Sequence, residues 1–146
     1  MNSSGLRRWA RRASTSSGCT SRSYSYPLAL VAVHSDAVGV DLEFMHPVDE
    51  QFAASICTPR ERAELRAGLD PIALWCSKEA LAKALGDARR YDPRRLEAPI
   101  AWPNGRCGPW RATAIVVPSG YCAWLCWRTT TSSLISPRTV RGAYSA

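Results

Sequence analysis

A chain of 146 residues is the size of a single domain, and folding at that length buries roughly 68–70% of the surface that the unfolded chain exposes. No apolar run approaches the ~20 residues needed to span a bilayer, which excludes a transmembrane helix and predicts a soluble protein. The net charge of +7 is uneven, because residues 1–35 carry five Arg and no acid, the first acid being Asp36; nucleic-acid binding would need a patterned basic surface rather than a charged end, and is not expected.

Residues 1–22 contain Arg7, Arg8, Arg11 and Arg12, followed by Ser and Thr. That composition predicts a flexible basic arm, with a transit peptide or a nucleic-acid-binding arm as alternatives. The apolar run of a secretory signal is missing, so the expected compartment is the cytoplasm and the expected thiol state is reduced. The six cysteines are Cys19, Cys57, Cys76, Cys107, Cys122 and Cys126. No paired Cys-x2-Cys spacing or neighbouring His cluster suggests structural zinc. His34 and His46 stand apart and read as surface or turn residues.

Leu28 to Val33 is a short continuous apolar run with β-branched members, the pattern of a strand buried on both faces. The next segment, Val38-Gly39-Val40-Asp41-Leu42-Glu43, alternates. Val38, Val40 and Leu42 point to the core; Gly39, Asp41 and Glu43 share the other face. Two carboxylates on one side repel unless a cation or water relieves them. The residues leave both a solvated pair and a metal site open.

Pro47 to Ala54 reads as a short helix with acids in its first turn, and Thr58-Pro59-Arg60-Glu61 as a capping box opening a second helix that ends near Gly68. A third helix follows, with Asp70 as N-cap, Pro71 at the first position and Gly86 as a left-handed terminator. Within it, Trp75, Glu79 and Lys83 fall at i, i+4 and i+8 on one face, and Leu74, Leu81 and Leu85 supply the apolar one. Seventeen of the nineteen basic residues are Arg, yet this helix holds the only two Lys, Lys78 and Lys83. Two positions that keep a compact ammonium argue for function, against the alternative of a solvated amphipathic helix.

A turn-rich stretch from Asp92 to Pro109 leads to Trp110–Val117 and Tyr121–Trp127, which flank Pro118-Ser119-Gly120 as an antiparallel hairpin. Residues 129–146, rich in Thr, Ser and Arg, read as a flexible tail. The expected division is therefore an arm at 1–22, a folded domain at 23–128 and the tail.

The strand Gly39-Val40-Asp41-Leu42-Glu43 and the helix Trp75-Cys76-Ser77-Lys78-Glu79 with Lys83 together resemble the 4'-phosphopantetheinyl transferase superfamily, whose signatures are G-[VI]-D-[IVL]-E and W-x-x-K-E-x-x-x-K. Ser23-Tyr24 lies where the larger, surfactin-synthetase-type members carry Ser-His, and Ser119-Gly120-Tyr121 resembles their late strand; the resemblance covers roughly residues 20–127. It implies an α+β fold with a small antiparallel sheet packed against helices. It also implies transfer of the phosphopantetheine arm of coenzyme A to a serine of an acyl- or peptidyl-carrier protein, with release of adenosine 3',5'-bisphosphate, as in fatty acid, polyketide or nonribosomal peptide biosynthesis. Carried over by position, Asp41, Glu43 and Glu79 would hold Mg2+ with the pyrophosphate, and Glu79 or Glu43, directly or through a water, would take the serine proton. Lys83 and Lys78 would neutralise phosphate charge, and Ser23 and Tyr24 would contact coenzyme A. The larger members bind coenzyme A between two pseudo-repeated halves, and this chain resembles the second half. An active homo-oligomer is the first expectation; a non-catalytic half without a complete pocket is the alternative.

Overall fold

The computed structural model describes residues 2–14, 18–129 and, as backbone only, the strand at 138–141. Helix α1 (Ser3–Ala13) is followed by strands β1 (Cys19–Ser25), β2 (Leu28–His34) and β3 (Val38–Phe44). Three helices come next: α2 (Glu50–Ile56), α3 (Pro59–Arg66) and α4 (Pro71–Leu85). Short 3-10 turns then lead to β4 (Arg106–Cys107), β5 (Trp110–Ile115), β6 (Tyr121–Arg128) and β7 (Arg138–Arg141). This is the expected α+β arrangement of antiparallel sheets packed against helices.

Two sheets form, in the orders β1-β2-β7 and β3-β6-β5-β4, all antiparallel. Their join is made by side chains. The inward hydroxyls of Ser21 and Ser23 on β1 accept from the backbone N–H groups of Val40 and Leu42 on β3, each at 3.0 Å. Those two donors would otherwise be buried without a partner, a cost of about 1–3 kcal/mol each. Val38, Val40 and Leu42 of β3 pack with Leu28, Leu30 and Ala32 of β2 and with Ala123 and Leu125 of β6, forming the main core.

The other face of β2 needs its own cover, which accounts for a difference from expectation at the N-terminus. Residues 3–13 are helical, not a flexible arm. Asn2 caps the helix by accepting from the Gly5 N–H, and Leu6 and Ala10, one turn apart, bury against Ala29 and Val31. A strand apolar on both faces cannot leave one to water, and the Leu6–Ala10 stripe of α1 covers it. Most of the expected tail at 129–146 lies outside the described residues, but 138–141 forms β7 against β2.

Helix α4 is the element that builds the site. Asp70 caps it through the N–H groups of Ile72 and Ala73, and Gly86 closes it at φ 79°. It lies across β3 and β6 at close range because Gly39 has no side chain: a Cβ there would stand 1.9 Å from the Ala80 carbonyl oxygen and 2.6 Å from the Ala84 N. Ala80 and Ala84 present small side chains to that contact. The helix is buried on most sides, and of the three leucines assigned to its apolar face Leu85 is instead 41% exposed. His34 also departs from the surface reading. It is buried at the end of β2, with Nε2 donating to the Arg128 carbonyl at 3.0 Å.

The six cysteines are free thiols, with Cys57, Cys76 and Cys126 buried. Among the described residues no helix is long and apolar enough to cross a membrane.

Candidate active site

The alternation of β3 puts Asp41 and Glu43 on the side facing α4, and the close seat on Gly39 lowers Glu79 and Lys83 towards them. Lys83 Nζ donates to Asp41 Oδ1 at 2.6 Å, to the Val40 carbonyl at 3.1 Å and to the Arg22 carbonyl at 3.4 Å. All three ammonium donors are used. Ser23 Oγ donates to the same Asp41 oxygen at 3.0 Å. Ser23 thus accepts from the β3 backbone and holds the carboxylate through one hydroxyl.

Asp41 Oδ2 is buried and has no partner. Glu43 stands beside it, and the surroundings favour a proton there. Burial, reinforced by the neighbouring Asp41 carboxylate, pushes Glu43 up from 4.5 to about 7, with Lys83 opposing. Burial likewise pushes Glu79 up, while a hydrogen bond from the Tyr91 hydroxyl pulls it down. The cluster therefore holds more negative charge than Lys83 satisfies.

Those properties fit a hard divalent cation. An orphaned buried carboxylate oxygen and two carboxyls that resist ionisation are relieved by positive charge, and Mg2+ takes oxygen ligands, commonly sharing them between carboxylates, phosphates and waters. Among the described residues no group of three His, Cys, Asp or Glu side chains is arranged to hold a metal ion by itself. Asp41 and its carboxyl neighbours would need substrate oxygens and waters to complete a shell.

Lys78 does not join this cluster. Five residues separate it from Lys83, a turn of about 140° around the helix axis, and its side chain points into the core on the other side. There its Nζ donates to Glu61 Oε2 at 2.6 Å and to the carbonyls of Ile56 and Pro93 at 2.6 and 2.8 Å. The expected phosphate contact from Lys78 is thus corrected: a fully buried ammonium with its three donors occupied is a brace.

Tyr24 lines a cleft of about 940 Å³ beside Lys83. Arg7, Arg11, Arg22, Arg89 and Arg90 share its walls, and the one acid among them is Asp87. A smaller cleft of about 420 Å³ opens at Glu43, between His46, Phe52 and Trp75. Trp75 meets Phe52 edge-on at 6.1 Å, so the aromatic end of the signature serves packing and this second cleft.

The family model for the 4'-phosphopantetheinyl transferase superfamily matches residues 37–111, the span that runs from β3 through α4 into β5 and carries Asp41, Glu43, Glu79 and Lys83. The chain belongs to the 4'-phosphopantetheinyl transferase superfamily. Membership makes it a member of a family of transferases of the phosphopantetheine group, whose partners are coenzyme A and a carrier protein. No curated protein matches the chain.

Several residues of this superfamily member's site were not legible beforehand. Tyr91 sits in a turn-rich stretch with no periodicity to mark it, and only the fold brings it to Glu79. Arg89 and Arg90 follow the terminating Gly86 and read as loop charge. Arg7 and Arg11 did carry a signal: they sit at i, i+4 beside the i, i+4 apolar pair Leu6 and Ala10.

Proposed function

We propose that this superfamily member is a cytoplasmic, Mg2+-dependent transferase that moves 4'-phosphopantetheine from coenzyme A to a serine of an acyl- or peptidyl-carrier protein, releasing adenosine 3',5'-bisphosphate. The observation that carries this reading is Asp41, whose Oδ1 pairs with Lys83 and whose Oδ2 is buried without a partner, near two carboxyls of raised proton affinity and beside a cationic cleft that Lys83 lines.

In the reaction the serine oxygen attacks the pantetheine-side phosphorus of the pyrophosphate, and the bond to the adenosine-side phosphate breaks. Asp41, Glu43 and Glu79 would hold Mg2+, which when bound neutralises pyrophosphate charge. Lys83 places a fixed positive charge where the leaving phosphate gains negative charge, and Ser23 keeps Asp41 aimed. The serine proton goes to Glu43 or Glu79. A carboxylate whose affinity for protons lies near neutrality suits that task, which favours Glu43. The carrier serine enters by the cleft of His46, Phe52 and Trp75, on whose wall Glu43 lies.

The test is a gain of mass on an apo carrier protein incubated with the purified chain, coenzyme A and Mg2+. Asp41→Ala and Glu79→Ala are each expected to abolish transfer and leave a cooperative thermal transition. No mass gain, with a known transferase active in parallel, would leave a non-catalytic domain. A homo-oligomer as the active form belongs to the same proposal, and light scattering of the active protein checks it: a strict monomer that transfers sinks that part alone.

A further inference from the structure

The cationic cleft extends beyond the residues that the family match covers. Two of its walls come from outside residues 37–111: α1, through Arg7 and Arg11, and β1, through Arg22 and Tyr24. Resting on the transferase reading above, we propose that α1 is a wall of the coenzyme A site, with Arg7 and Arg11 contacting phosphate.

Three observations carry this. First, the helix is fixed. Its Asn2 cap, the Leu6 and Ala10 contacts on β2 and the basic residues Arg11 and Arg12 in its last turn, favourable to the helix dipole, all hold it against the domain. With Leu6 and Ala10 facing the sheet, Arg7 and Arg11 project one step round the helix, together, into the cleft.

Second, Arg7 is positioned from outside the helix. Its guanidinium lies 5.4 Å from the centre of the Tyr24 ring, and Tyr24 itself lines the cleft. The ring gives a flat seat to a planar cation while leaving its edge N–H groups free to meet an anion.

Third, the charge has no internal match. Among the described residues Arg7, Arg11, Arg22, Arg89 and Arg90 form no ion pair, and Lys83, the remaining cation of the cleft, is committed to Asp41. Five guanidinium groups facing one volume with only Asp87 among them repel one another until an anion enters. A polyphosphorylated small molecule suits both the charge and the volume of about 940 Å³. Coenzyme A carries three phosphates, more than Lys83 alone could serve.

Calorimetric titration of the full chain with coenzyme A and, separately, with inorganic pyrophosphate tests the inference, using Arg7→Gln/Arg11→Gln and the control Arg8→Gln. Arg8 is an exposed arginine of the same helix that does not line the cleft. The double variant is expected to bind coenzyme A roughly 100-fold more weakly, the size of losing two charge-assisted contacts. Its melting temperature should match that of the wild type, since Leu6 and Ala10 are untouched. Arg8→Gln should stay within about twofold, as expected of a solvated charge. Equal affinity in the double variant and the wild type overturns the inference, and so does an equal loss in Arg8→Gln. If the wild type binds pyrophosphate through Arg7 and Arg11 but transfers nothing to a carrier, the wall stands and the transferase reading falls. If it transfers and the double variant binds coenzyme A unchanged, the transferase reading stands and the wall falls.

Discussion

The two lysines of α4 make ion pairs of the same length, 2.6 Å, and do opposite work. Lys78 and Glu61 are both 0% exposed, and their pair ties α4 to α3 and to the turn at Pro93. Glu61 also caps α3 by accepting from the Thr58 N–H at 2.8 Å and accepts from the Ala98 N–H at 2.6 Å, so with Lys78 the one carboxylate accepts three hydrogen bonds. Lys83 keeps 24% of its side chain exposed, lies beside two further acids and opens onto a cleft. Burial separates the roles: a charge that water and ligand cannot reach can only hold the fold, and a charge at a cleft can serve a substrate.

The largest effect is expected on the buried side. Lys78→Met leaves Glu61 charged and unpaired in the core, which should cost about 3–5 kcal/mol and lower the melting temperature by roughly 6–20 °C for a chain of this size. Pairing it with Glu61→Gln should recover part of that loss. A drop in transfer with an unchanged melting temperature would instead place Lys78 at the site and erase the contrast.

Lys83→Met should show the reverse pattern. Transfer should fall roughly 10²–10³-fold, the size of losing one well-placed charge-stabilising group. Stability should fall by only about 1–3 kcal/mol, because the buried Asp41 it leaves behind keeps the Ser23 hydroxyl as a donor. Steady-state kinetics with thermal melting on one preparation decides between these patterns.

Protons provide a third handle at the Lys83 end. Folding raises Glu43 from 4.5 to about 7, so the folded protein keeps a proton that the unfolded chain has released. The stability from that group is complete below pH 4.5 and is lost as pH rises through about 7. Glu79 shifts in the same direction. Melting temperature measured without divalent cations should therefore decline from pH 5 to 8. Added Mg2+ should restore it at pH 8 and do less at pH 5, where Glu43 keeps its proton.

The smallest effect belongs to Tyr91→Phe, which removes one hydrogen bond to Glu79 at about 0.5–1.5 kcal/mol. Because that bond lowers the proton affinity of Glu79, its loss should move the acidic limb of the transfer rate profile to higher pH. A profile that does not move would separate Glu79 from the proton step.

Much of the framework could be read from the residues. The capping box at Thr58, the Asp70 and Gly86 caps of α4, the doubly buried β2 and the β5–β6 hairpin all follow from short-range rules of capping, periodicity and turn chemistry, and each forms as expected. The site was half legible. Strand alternation put Asp41 and Glu43 on one face, and helical spacing put Glu79 and Lys83 together, because both are local geometry.

What the sequence by itself determined were these faces and, through an unbroken pair of motifs, the superfamily. Only the tertiary structure decided which face met which. The absent Cβ of Gly39 let α4 settle onto β3, the phase of the helix sent Lys78 inward and Lys83 to the cleft, and the uncovered face of β2 drew the basic N-terminus into a helix against it. Those outcomes depend on contacts between residues far apart in the chain, such as Lys78 with Glu61 and Arg7 with Tyr24, which no local periodicity encodes.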